Sequence, residues 1–175
     1  EGLIRIFKRL LHQGAHDLRL LIAPRYVDRV AALLDLVRAA GLHGAARTSS
    51  DAVDAQVIIL DTIGELATLY RLATVVFVGG SFTKRGGQNI LEPAAQGRPV
   101  LFGPHMENFH DAVQILVGRG GIQVNDFDHL ESVLIDLLSR PESLAAVGAL
   151  ARASVTSATG ASQRNVAAML SLVRA

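Results

Sequence analysis

Short, strongly apolar runs alternating with segments of helical period most constrain what this chain can fold into. The runs are Leu18–Ala23 (LRLLIA), Val57–Leu60 (VIIL), Val75–Val78 (VVFV) and Pro99–Phe102 (PVLF), and brief strands are also expected at Ala45–Thr48 and Ile122–Val124. A strand without a polar face is buried on both sides, as parallel strands covered by helices are. Between the runs, Leu3, Ile4, Phe7, Leu10 and Leu11 recur with helical spacing. The same period predicts helices over Val27–Ala40, Gly64–Ala73, Ile90–Gln96, Phe109–Val117 and Phe127–Ser139. In the segment starting at Gly64, Leu66, Leu69, Tyr70 and Leu72 are expected to face inward. Beyond Pro141 two helices are expected, near Glu142–Ala153 and Ala161–Val173, with a turn at the Ser/Thr-rich SVTSATGAS between them. The expected fold is α/β, a parallel sheet with helices on both faces.

Composition narrows the class further. A chain of 175 residues is long enough for one domain with a proper core. Half of it is apolar and 19% is charged, which excludes disorder. A net charge of +1 gives no general nucleic-acid-binding surface. The absence of cysteine excludes disulfides and thiolate metal sites. No apolar run reaches the roughly 18 residues of a membrane span. The opening EGLIRIFKRLL is already helical, which predicts that the sequence is cut from a larger protein.

In parallel α/β sheets, ligands sit beyond the carboxyl ends of the strands. Four segments should therefore meet at one edge: Pro24-Arg25, Asp61 to Glu65, Gly79-Gly80-Ser81 and Gly103-Pro104-His105. The richest stretch is VVFVGGSFTKRGGQNILEP, Val75 to Pro93. It reads as a buried strand, a double-glycine turn, a basic loop with Lys84-Arg85, a second double glycine and a helix starting near Asn89. Glycines let backbone approach a ligand closely, and a helix start favours negative charge. It is neither a Walker loop nor GxGxxG. Glu92 in the first helical turn could accept sugar hydroxyls or simply complement the helix dipole. Asn89 could cap that helix, bind a ligand, or do both. Thr62 and Glu65 have the spacing of a capping box. Arg25 is suited to a phosphate. His105 and His110 flank Asn108 without the spacing of a metal site. No cofactor is expected.

The strings APRY, DTIGEL, FVGGS, GGQN, LEPAA and GPHMENF resemble, in order, those of the 3-deoxy-D-manno-octulosonic acid (Kdo) transferases. The resemblance runs from Ala23 to the helical tail. It implies a GT-B glycosyltransferase of two Rossmann-like domains, with residues 1–175 as a single donor-binding domain for CMP-Kdo. It also implies that the first strand of that domain, with a Ser-Thr-His turn, lies before Glu1. By position, Arg25 would contact donor phosphate. Ile63, Gly64 and Glu65 would lie against the cytidine and its ribose. Gly80 and Ser81 would line the phosphate pocket, with Gly86, Gly87 and Asn89 close by, and Glu92 would take the ribose hydroxyls. No catalytic residue is expected here, because the base belongs to the family's N-terminal domain. The acceptor would be a lipid A precursor, and that other domain would contact the membrane at the cytoplasmic face of the bacterial inner membrane. The chain departs from the family at Gln88 and Tyr26, where histidines are common.

Two further readings use the same residues. One is a donor domain for a UDP-sugar in another GT-B enzyme. The other is a non-catalytic α/β module whose glycines only make turns.

Overall fold

Each apolar run supplies a three-residue strand, and every strand pair is parallel. The computed structural model describes the backbone of residues 1–173 and the side chains of residues 1–159. The chain divides into two compact units, the first spanning Glu1–Leu66 and the second beginning at Ala67.

In the first unit, β1 (Leu20–Ile22), β2 (Gly44–Ala46) and β3 (Val57–Ile59) form a sheet of order β1-β3-β2. Leu20 and Gly44 both stand in register with Val57. Helices α1 (Gly2–His12) and α2 (Val30–Ala39) pack on it, the latter entered through a single 3₁₀ turn at Val27–Arg29. The predicted helical stripe forms the core: Ile4, Phe7 and Leu11 of α1 meet Val37, Val57 and Ile59. Another 3₁₀ turn, Ser50–Val53, was not predicted; Ser49 caps it by accepting from the Asp51 amide.

In the second unit, β4 (Val76–Val78), β5 (Val100–Phe102) and β6 (Gly121–Gln123) form a sheet of order β4-β5-β6. Val76, Val100 and Gly121 share one register. Around it lie α3 (Leu66–Leu69), α4 (Leu91–Ala95), α5 (His110–Leu116), α6 (Phe127–Ser139) and α7 (Pro141–Val173). Val78, Ile90, Val100, Phe102, Met106 and Leu116 make a continuous buried core. Asp126 caps α6 by accepting from the His129 amide at 2.8 Å.

Two local expectations are corrected. The segment after Gly64 is not one helix but the short α3 followed by a 3₁₀ turn at Tyr70–Leu72. A 3₁₀ turn rotates about 20° more per residue than an α-helix. Leu72 leaves the apolar stripe as a result and stands 80% exposed. The expected break at SVTSATGAS is absent, and Pro141 opens one continuous α7. The hydroxyls of Ser154, Thr156 and Thr159 donate to the carbonyls of Leu150, Arg152 and Val155, four residues back. These side chains thus bond within the helix instead of drawing the backbone into a turn.

Helix α7 leans on the loops that lead into β5 and β6. A side chain at Gly148 would meet the Gly97 carbonyl at 2.2 Å, and one at Gly120 would meet the Ala151 backbone at 2.4 Å. Those loops lie at the amino ends of the strands. The candidate residues of each unit follow the carboxyl ends of its own strands.

Candidate functional site

The carboxyl edge of the β4-β5-β6 sheet holds two glycine turns in direct contact. After β4, Gly80 takes a φ of +82°, and a β-carbon there would lie 2.7 Å from the Gly86 carbonyl oxygen. Gly87 is equally confined: its β-carbon would sit 2.1 Å from the Met106 sulfur and 3.3 Å from Ser81. The loop after β5 latches both turns through one backbone. The His105 amide donates to the Ser81 carbonyl at 2.9 Å, and the Gly87 amide donates to the His105 carbonyl at 2.8 Å. The Ser81 hydroxyl is fully buried, donating to the Val78 carbonyl at 2.6 Å and accepting from the Gly103 amide at 2.7 Å. It is therefore built into the scaffold, and the surface of this turn is backbone.

Gly79 is different. Its φ is unexceptional and nothing lies within 4 Å of where its β-carbon would be. The fold gives no reason for glycine there. A residue that is small without being confined leaves room for something else to approach the backbone. The double glycine signalled the turn in the sequence, but which member was sterically idle could not be read from it.

Past the second glycine pair, Gln88 is exposed and donates its side-chain amide to the Gly87 carbonyl at 3.0 Å. Asn89 accepts from the Leu91 amide at 2.9 Å and donates to the Glu92 carboxylate at 3.0 Å. It thus caps the start of α4 and orients Glu92 together. The remaining oxygen of Glu92 has no hydrogen bond among the described residues, and the residue is exposed.

Tyr70 is a neighbour of Glu92 that spacing alone did not reveal. Burial raises its phenol above the ordinary value of 10.0, and the Glu92 charge raises it further. The folded state prefers the neutral phenol, so this contribution to stability is intact below pH 10.0 and is lost as pH rises through the raised pKa. In a Tyr26→Phe background, ultraviolet titration should show Tyr70 ionising at lower pH once Glu92 is changed to Gln. An unchanged midpoint would contradict the proximity of the two groups.

His105 also presents Nδ1 to the Glu107 carboxylate at 3.1 Å. The Glu107 carboxyl is held below its usual range, first by its own backbone amide and then by His105.

The carboxyl edge of the β1-β3-β2 sheet carries the other candidates. Arg25 follows β1, exposed, with its guanidinium 5.9 Å from the Tyr26 ring centroid. No hydrogen bond or ion pair holds Arg25 among the described residues, leaving its charge available. After β3, residues 61–65 form a turn rather than a helix start. Gly64 adopts a φ of +90° with open space around it, and Ile63 stands 90% exposed at the tip. The capping-box reading fails: the Thr62 hydroxyl is buried without a partner, and Glu65 pairs with Arg47 at 3.4 Å. Glu65 is drawn sideways toward β2, while the left-handed Gly64 breaks the helical path.

Among the described residues no group of three His, Asp or Glu could hold a metal ion. None of their helices is long and apolar enough to cross a membrane. Two shallow surface cavities of about 440 and 460 Å³ are lined by residues such as Lys8, His12 and Gln56, and Arg119 and Ser154; neither includes a candidate residue.

Comparison with known proteins points one way. No family model matches the chain. It is 34% identical over 154 residues to the 3-deoxy-D-manno-octulosonic acid transferase of Bordetella pertussis, covering 86% of this chain and 36% of that enzyme. To the enzyme of the same name from Haemophilus influenzae it is 36% identical over 136 residues, covering 75% of this chain and 32% of the relative. The chain thus spans about a third of the length of the curated relatives it matches. Its fold superimposes with a TM-score of 0.78 on a crystal structure of the C-terminal CMP-Kdo binding domain of WaaA from Acinetobacter baumannii. That match has 26% identity and covers 87% of this chain and 80% of that one.

Proposed function

From a chain homologous in sequence and fold to the C-terminal domain of the Kdo transferases, we propose that it is the donor-binding part of such an enzyme. Its ligand is CMP-Kdo. The observation that carries this reading is the carboxyl edge of β4: two glycine turns latched backbone to backbone, with the unconfined Gly79 at their entrance. The peptide N–H groups of Gly79–Ser81 are the ones this edge offers to a phosphate at close range, since the Gly86 and Gly87 amides donate to Thr83 and His105. This also explains why the buried Ser81 side chain supports the turn while the turn's backbone faces the ligand.

The remaining roles follow residue by residue. Arg25 supplies a mobile positive charge for donor phosphate. Ile63 and Gly64 give the cytidine an apolar, unobstructed place to lie, and Glu65 stands beside its ribose. Glu92, held by Asn89, accepts ribose hydroxyls. Gly80, Ser81, Gly86 and Gly87 form the phosphate turn. In the reaction of the whole enzyme, a hydroxyl of the lipid A precursor attacks the anomeric carbon of Kdo. The bond from that carbon to the phosphate oxygen breaks, CMP departs with the electron pair, and a base outside this chain takes the hydroxyl proton. This chain's part is to bind and orient the donor and to stabilise charge on the departing phosphate. Membrane contact and placement at the cytoplasmic face of the inner membrane belong to the complete protein.

Calorimetric titration of the chain with CMP and with UDP tests the choice of nucleotide. CMP is expected to bind more tightly. A clear preference for UDP would favour a donor domain of another GT-B enzyme instead.

A further inference from the structure

Three residues at the end of β2 and β3, Arg47, Thr48 and Asp61, have no part in the roles above, and they form a connection that reaches Glu65. The β2-β3 ladder continues one step past β2, with the Arg47 amide donating to the Ile59 carbonyl at 2.8 Å. On the other side of β3, the Leu60 amide donates to the Ile22 carbonyl at 2.8 Å. Immediately beyond, the Asp61 carboxylate takes two bonds from Thr48. The backbone amide donates to Oδ1 at 3.2 Å, and the hydroxyl donates to Oδ2. Four residues later Glu65 reaches back to Arg47. The turn between is thus pinned at one end to Thr48 and at the other to the adjacent Arg47, while Ile63 and Gly64 protrude from its middle.

We infer that Thr48, Asp61 and Arg47 are positioning residues for the ligand-binding turn Thr62–Glu65, holding it in the shape the nucleotide requires before the nucleotide arrives. The inference rests on the donor-binding reading above and adds residues to it. Two facts favour a positioning role over simple stabilisation. First, the partners are open to solvent, with the Arg47 and Glu65 side chains 45% and 40% exposed, where an ion pair or hydrogen bond adds little to global stability. Second, both oxygens of Asp61 are committed to one residue, which fixes direction as well as distance. Asp61 is therefore not a free acceptor for a ligand. Its carboxyl is held below the usual range, chiefly by the Thr48 hydroxyl, so the connection stays ionised well into acid and weakens only as pH falls through that lowered value.

Pre-organisation acts on affinity through the fraction of turns already in the competent shape. If loss of the Thr48 hydroxyl leaves about one turn in five competent, apparent affinity falls about fivefold. The variants are Thr48→Val, which removes the hydroxyl at nearly constant shape, and Thr48→Ser, which retains it. Amide hydrogen exchange at position 48, whose N–H donates to Asp61 Oδ1, reports the pin in the free chain, CMP titration reports its use, and thermal melting reports the fold. In Thr48→Val, exchange should quicken and CMP affinity fall about fivefold, with melting almost unchanged. Thr48→Ser should restore both. Unchanged exchange would overturn the pin itself. Faster exchange with unchanged affinity would overturn its role in binding. A parent chain that fails to bind CMP at all would overturn the donor-binding reading and this role with it.

Discussion

Gly80→Ala is expected to destabilise the second unit by about 2–3 kcal/mol, whereas Gly79→Ala leaves stability within about 0.5 kcal/mol of the parent. The two glycines are adjacent and look equivalent in the sequence. Gly80 sits at a φ of +82°, where an L side chain is strained, and a methyl group would press on the Gly86 carbonyl at 2.7 Å. Neither turn can yield easily, because His105 ties both through its backbone. Gly79 has ordinary φ and open space. An alanine there restricts the unfolded chain slightly and meets nothing in the fold. The functional order reverses. The Gly79→Ala methyl group stands where a phosphate must approach the backbone, so CMP affinity should fall about tenfold, the weight of one well-made charged hydrogen bond. Urea denaturation and calorimetric titration of both variants check this. A Gly79→Ala chain that keeps both stability and affinity would mean that the turn is only a turn.

Glu92→Ala should weaken CMP binding by about thirtyfold while leaving binding of 2′-deoxy-CMP far less affected. A carboxylate that accepts ribose hydroxyls discriminates through them, because its loss leaves those hydroxyls unpaired. The parent should therefore prefer CMP to the deoxy form, and the variant should have lost most of that preference. The change in preference separates a ribose contact from general damage to α4. Asn89 loses one partner in the variant but keeps its bond from the Leu91 amide, so the helix start remains capped. If both nucleotides weaken equally, Glu92 acts only on the helix and not on the sugar.

The parts of the molecule that the sequence reveals are those governed by local rules. Strands without a polar face were legible in VIIL and PVLF because burial on both sides leaves no alternation to read. At the start of α6 the sequence offers Asp126 and Asp128 alike as caps, and the bond from the His129 amide selects Asp126. Glu92 and Asn89 were legible as a helix start, and the bond that Asn89 accepts from the Leu91 amide agrees with its reading as a cap, whereas its hold on Glu92 was not foreseen. What was hidden depends on contacts distant in sequence. Glu65 looked like the partner of Thr62, three residues back, but Arg47 draws it across the sheet end. The tail looked like two helices because serine and threonine favour turns, yet their hydroxyls return to carbonyls of the same helix. Arg47 and Thr48 could have been found by the rule already applied elsewhere, that ligand-proximal residues follow the carboxyl ends of strands. They were overlooked because the brief strand was expected at Ala45–Thr48, which counts both residues inside it, whereas β2 ends at Ala46.

The most direct test of the account is a CMP titration of the isotopically labelled chain followed by amide chemical shifts. The donor-binding reading predicts saturable shifts at Gly64 and Glu65 and at Gly79, Gly80, Gly86 and Gly87, with the residues lining the Lys8–Gln56 cavity unmoved. Shifts confined to that cavity, or no saturable shift at the glycine turns, would contradict it.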